Sequence, residues 1–87
     1  EGRQWQRRFA ELFELHTLDG AVLPPADWPL ARVRRGETID GFEVRVQRRD
    51  RDWVRIFSYT GSQVGYAGGR TLVFLTLSDI TARKEAE

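Results

Sequence analysis

The closing stretch Thr71-Leu72-Val73-Phe74-Leu75-Thr76-Leu77-Ser78-Asp79-Ile80-Thr81-Ala82-Arg83-Lys84-Glu85-Ala86-Glu87 changes character halfway along. Its first part is an uninterrupted apolar run rich in strand-forming side chains. Its last part is polar and rich in Ala, Glu, Lys and Arg, the residues that favour a helix. Ser78-Asp79-Ile80-Thr81 lies between the two, so the stretch reads as a strand handing over to an outgoing helix. That geometry would let a change inside a domain be felt outside it.

Upstream, Phe42, Val44 and Val46 alternate with Glu43, Arg45 and Gln47, the period of a half-buried strand. The polar segment Arg49-Asp50-Arg51-Asp52 reverses the chain into a second strand, Trp53 to Thr60, and the two form a hairpin. Gly61 to Gly69 reads as a flexible hairpin loop leading to the third strand, Arg70 to Ser78, an antiparallel neighbour of the second. Side-chain alternation predicts two unlike faces. Phe42, Val44, Val46, Val54, Ile56, Ser58, Val73, Leu75 and Leu77 are expected on an aliphatic face, and Trp53, Phe57, Tyr59 and Phe74 on an aromatic one. Both are too apolar to be left in water, so a helix or a second copy of the chain is expected over the aromatic face.

Before the strands, Trp5, Phe9, Leu12 and Phe13 recur at helical spacing, which predicts an amphipathic helix over residues 3–16. Plain core packing accounts for its apolar stripe, and His16 near its end would favour the helix dipole when protonated. Thr17-Leu18-Asp19-Gly20 signals a turn, and Leu23-Pro24-Pro25 is extended or turning. Asp27 is placed to cap a short helix through Pro29, Leu30 and Val33 that stops at Gly36.

The 87 residues make one domain, in which roughly 60% of the unfolded surface can be buried. Without cysteine there is neither a disulfide nor thiolate chemistry, and the single His16 builds no metal site. The formal charge of +1 gives little long-range attraction for nucleic acid or an anionic membrane. Arg7-Arg8, Arg34-Arg35 and Arg48-Arg49 with Arg51 read as a solvated surface. No apolar run approaches the ~20 residues that span a bilayer, and no signal-peptide core opens the chain, so a cytoplasmic location is expected. No nucleophile triad, P-loop or dinucleotide fingerprint occurs, which argues against an enzyme. The Gly61–Gly69 stretch lies between strands rather than before a helix, unlike a phosphate cradle.

Taken together, these residues resemble the PAS family of sensor domains. Asp79-Ile80-Thr81-Ala82-Arg83-Lys84 looks like the Asp-Ile-Thr-x-Arg-Lys ending that closes many bacterial members before a signalling helix. Leu18-Asp19-Gly20, Leu23-Pro24-Pro25, Trp28-Pro29-Leu30-Ala31-Arg32, Arg35-Gly36-Glu37 and the three strands resemble the family's middle and end, so the likeness spans roughly residues 18–87. It implies an α+β fold, an antiparallel five-stranded sheet with short helices against one face around a small cavity. Only three strands are legible, so the opening two would be shortened, absent or unrecognisable. The N-terminal helix would be the family's first helix or, the favoured placement, a capping helix over Trp53, Phe57, Tyr59 and Phe74.

On this reading the domain divides into an N-terminal helix over 3–16, a sheet core over 17–81 and the start of an output helix over 82–87. Trp28, Val54, Ile56, Ser58, Val73, Leu75 and Leu77 would line a ligand pocket, although simple core filling explains the same residues. The resemblance implies that Asp79, Ile80 and Thr81 relay a signal to the output helix. Trp5, Phe9, Phe13, Trp53, Phe57, Tyr59 and Phe74 would form the helix-covered or dimer face, with an open sheet edge favouring a homodimer. A histidine kinase or cyclic-dinucleotide enzyme would lie downstream, as in two-component signalling. The flavin branch needs an adduct-forming cysteine that is missing here, and no haem-ligand role carries over to His16; the cofactor is left unassigned. Alternatives are a ligand-free homodimerisation scaffold and, more remotely, single-stranded nucleic-acid binding by Phe57, Tyr59 and Phe74 with Arg55.

Overall fold

The computed structural model describes residues 8–87. Residues 8–12 are helical, and the chain then enters β1 (Phe13–His16). The expected helix over 3–16 is corrected here: its part before residue 8, with Trp5, lies outside the described residues, and its last turn is a strand. Phe13 and Leu15 alternate with Glu14 and His16, so the segment satisfies a period of two as well as a helical one. Pairing with a long neighbouring strand decides between them. His16 therefore ends a strand rather than a helix, and its Nε2 lies 3.1 Å from Glu14.

Two short strands precede the three expected ones. β1 turns through Thr17–Gly20 into the two-residue β2 (Val22–Leu23). Thr17 Oγ1 accepts the Ala21 N–H at 3.0 Å and donates to Asp19, while Gly20 takes the positive φ of +99° that the turn requires. A 3₁₀ turn (Pro25–Asp27) leads to α1 (Pro29–Arg34), which starts on proline and ends at Gly36. The cap position is Trp28 rather than Asp27, with no side-chain cap bond. Val33 on α1 is fully buried.

β3 (Ile39–Arg48), β4 (Val54–Tyr66) and β5 (Arg70–Asp79) follow as an antiparallel meander. The expected hairpin at Arg49–Asp52 is found, closed by Arg48 N–H to Trp53 O at 3.0 Å. The expected loop from Gly61 to Gly69 is much shorter. β4 continues through Tyr66, and only Ala67–Gly69 turns, with Gly68 and Gly69 at positive φ. The result is a five-stranded antiparallel sheet with short helices, an α+β arrangement, in the order β2-β1-β3-β4-β5. β5, the strand that starts the outgoing helix α2 (Thr81–Ala86), lies at the sheet's edge.

Register sets the faces, because directly paired residues of an antiparallel ladder point the same way. Leu15 pairs with Val46, Val44 with Phe57, Phe42 with Tyr59, and Tyr59 with Leu77. These residues share an inner face beneath α1, and the core of Leu15, Leu23, Val33, Ile39, Val44, Val46 and Tyr59 lies there. Val54, Ile56, Ser58, Val64, Leu72, Phe74 and Thr76 share the outer face. The expected split into aliphatic and aromatic faces is thus corrected: each face mixes both, because β4 is set one residue out of the assumed phase relative to β3 and β5.

Candidate functional site

Beneath α1 a cleft of about 450 Å³ separates helix from sheet. Leu15, Tyr59, Leu75 and Leu77 come from the sheet, Trp28 and Leu30 from the α1 region, and Phe9 closes one end. Trp28 is held by its Nε1–H, which donates to Leu23 O at 2.9 Å, and by the Phe9 ring edge-on at 5.5 Å. Phe9 stacks on Phe13, which meets Trp53 edge-on, so an aromatic chain runs along the cleft's N-terminal side. The lining is mostly apolar, and the volume falls within the roughly 300–1,000 Å³ usual for small-molecule sites. Tyr59 supplies a polar group. Its hydroxyl has no hydrogen-bond partner among the described residues, and burial raises its pKa above the ordinary 10.0.

The structure brings Trp28, Leu75 and Leu77 of the expected pocket together. Val54, Ile56 and Ser58 are on the opposite face and line none of it, and Val73 shares the inner side of β5 without reaching the cleft. Of the expected aromatic face, Phe9, Phe13, Trp53, Phe57 and Tyr59 are gathered on the inner side, Phe57 and Tyr59 edge-on at 6.3 Å. Phe74 is not among them, so the three rings expected to stack bases are not assembled on one surface. Tyr59, Phe9 and Leu15 were missed as cleft residues. The one available signal was the alternation Leu15, Val44, Val46, whose phase against β4 only a register could reveal.

A second feature lies two residues past Leu77, where the chain leaves the sheet. Asp79 Oδ1 accepts the Thr81 N–H at 2.9 Å and the Thr81 hydroxyl at 2.5 Å. Thr81 Oγ1 in turn accepts the Ile56 N–H at 2.9 Å, and the Ile80 N–H donates to Ile56 O at 2.8 Å. Ile80 and Thr81 are both buried. Hydrogen bonds from Thr81, with the Arg55 guanidinium 3.9 Å away, hold the Asp79 pKa below its ordinary value. The three residues expected to form a relay therefore make one hydrogen-bonded junction to β4. The helix cap position is Ile80, without a side-chain cap, so Thr81 serves as a tie to β4 rather than as a cap.

α2 is then held against the outer face. Lys84 Nζ reaches Glu43 Oε1 at 2.9 Å and Arg83 reaches Glu43 Oε2 at 3.9 Å, and the bond to Glu43 raises the Lys84 pKa. Glu43 and Lys84 were not expected in the site, since an alternating Glu on a strand reads as a solvated position. Among the described residues no group of metal-ligating side chains occurs, and no helix is long and apolar enough to cross a membrane. Comparison with protein-family models, with curated proteins and with solved structures finds no match to this chain.

Proposed function

We propose that the chain is a PAS-like sensory module of a larger bacterial signalling protein, which binds a small apolar ligand in the inner cleft and passes the change to α2. The observation that carries this reading is the spacing on β5. Leu75 and Leu77 line the cleft and Asp79 begins the junction, two residues along the same strand, with Tyr59 opposite Leu77 and Phe57 opposite Asp79. A ligand that displaces Leu77 thereby acts on the strand that carries the Asp79 carboxylate. A ligand shifts a conformational equilibrium only by its differential affinity for the two states. Here the states would be α2 docked through Thr81 and Glu43, and α2 released.

The role is binding and transmission rather than catalysis, with an output domain of histidine-kinase or cyclic-dinucleotide type beyond Glu87. The test is a thermal-shift screen of small apolar compounds followed by amide NMR. Binding should perturb Leu75 and Leu77 and also Ile56, Thr81 and α2, and Thr81→Val should confine the perturbation to the cleft. Absence of any stabilising compound, or the same spread in the variant, sinks the proposal.

A further inference from the structure

Among the described residues, β5 is a sheet edge without the usual protections. Among the described residues it pairs only with β4, and its ten residues contain no proline, no glycine and no bulge. Natural edges are commonly blunted by such breaks or by charges along the strand. Here the only charges, Arg70 and Asp79, stand at the two ends. Leu72 and Phe74 on the outer face are 46% and 53% exposed, and Leu77 on the inner face is 54% exposed. An extended strand is what such an edge accepts.

We propose that β5 pairs antiparallel with β5 of a second copy about a two-fold axis through Phe74, joining two sheets into one. The ends of the strand choose the direction. Arg70 lies on the outer face and Asp79 on the inner one, so antiparallel pairing keeps like charges at opposite ends, whereas in-register parallel pairing would set Arg70 beside Arg70 and Asp79 beside Asp79. A two-fold axis perpendicular to the sheet keeps each face continuous, so paired positions must share a face. Centred on Phe74, the pairs are Phe74 with Phe74, Leu72 with Thr76, Val73 with Leu75 and Thr71 with Leu77. A centre at Leu75 would run the ladder into Ile80, whose N–H is already given to Ile56. The opposite edge, β2, is two residues long, so association through β5 closes at two copies. Pairing through a single edge strand is expected to bury less than the ~1,200 Å² of a standard interface, so dimerisation should depend on concentration. It does not depend on the cleft holding a ligand.

The chain has no cysteine, so single cysteines report the pairing directly. Sedimentation velocity of the whole chain should show a monomer–dimer equilibrium. Under mild oxidation Phe74→Cys should form a covalent dimer, since Cβ atoms of a paired position lie about 4.5–5.5 Å apart. Leu72→Cys mixed with Thr76→Cys should form the cross-linked heterodimer, while Val64→Cys, one strand in from the edge, should stay monomeric. Thr76→Lys should abolish the dimer while keeping a cooperative melt at dilute concentration, where the wild type is itself monomeric. A monomer at every concentration overturns the proposal. Cross-linking through Val64→Cys but not Phe74→Cys overturns it in favour of outer faces packed together, and a ladder of higher oligomers overturns the two-fold closure.

Discussion

The Thr81 hydroxyl lies 2.9 Å from the Ile56 amide, and the same hydroxyl donates to Asp79, so a single oxygen joins β4, the end of β5 and the first turn of α2. Six helical residues are too few to be stable alone. Their position depends on this junction and on the ion pairs with Glu43.

Replacing that oxygen should be costly. Thr81→Val keeps the shape but leaves the Ile56 N–H without a partner, and a loss of about 1–3 kcal/mol is expected, the cost of an unsatisfied buried donor. Thr81→Ser keeps the bonds and should lose less. Urea denaturation measures the stabilities, and hydrogen exchange at Ile56 reports the bond. Equal losses in both variants would assign the effect to the methyl group instead.

Asp79 makes the junction acid-sensitive. Its pKa in the folded chain is lowered, chiefly by the Thr81 side chain, below the ordinary value of 3.8. Its contribution is therefore fully present above that ordinary value and is lost as pH falls through the lowered one. The stability difference between wild type and Asp79→Asn should be widest above pH 3.8 and should close in stronger acid. A difference independent of pH would show that the charge of Asp79 is immaterial.

Tyr59 titrates in the opposite sense. Burial raises its pKa above 10.0, so the folded chain holds the phenolic proton more tightly than the unfolded one. Stability from this group is fully present below pH 10.0 and falls as pH rises toward the folded value. Since the hydroxyl has no partner among the described residues, Tyr59→Phe should be near neutral at pH 7 and should flatten the alkaline fall. Ultraviolet difference titration of the two proteins checks this, and a large loss in Tyr59→Phe at neutral pH would contradict it.

These residues also show how far the sequence could be read. The outgoing helix and its Asp79-Ile80-Thr81 junction were legible because a local polar signal interrupts an apolar run, and the side chains close their bonds within a few residues and one strand. The β3–β4 hairpin and α1 were legible through turn and proline chemistry. The cleft was not, because its membership depends on the phase of β4 against β3 and β5. Alternation along one strand says which residues share a side, but only pairing says which side that is. Residues 13–16 failed for a related reason: four residues fit both periods, and the neighbour that decides, Val46, is distant in sequence.

Gly61 shows why β4 could extend through what read as a loop. Its backbone needs no positive φ, yet a Cβ added there would lie 2.5 Å from Phe74 O, 2.9 Å from Leu75 Cδ1 and 3.2 Å from Val33 Cγ2. The missing side chain lets α1 and β5 close on β4, and the carbonyl of Phe74 cannot retreat without disturbing the ladder. Gly61→Ala should therefore cost about 1–3 kcal/mol, as overpacking does, and should disturb the cleft through Leu75. Gly65 has nothing within 4 Å of the same position, so Gly65→Ala should be neutral or slightly stabilising. Thermal melts of the two variants decide the matter. A similar loss in both would mean that the strand tolerates no side chain on this side, and that close approach at Gly61 is not the cause.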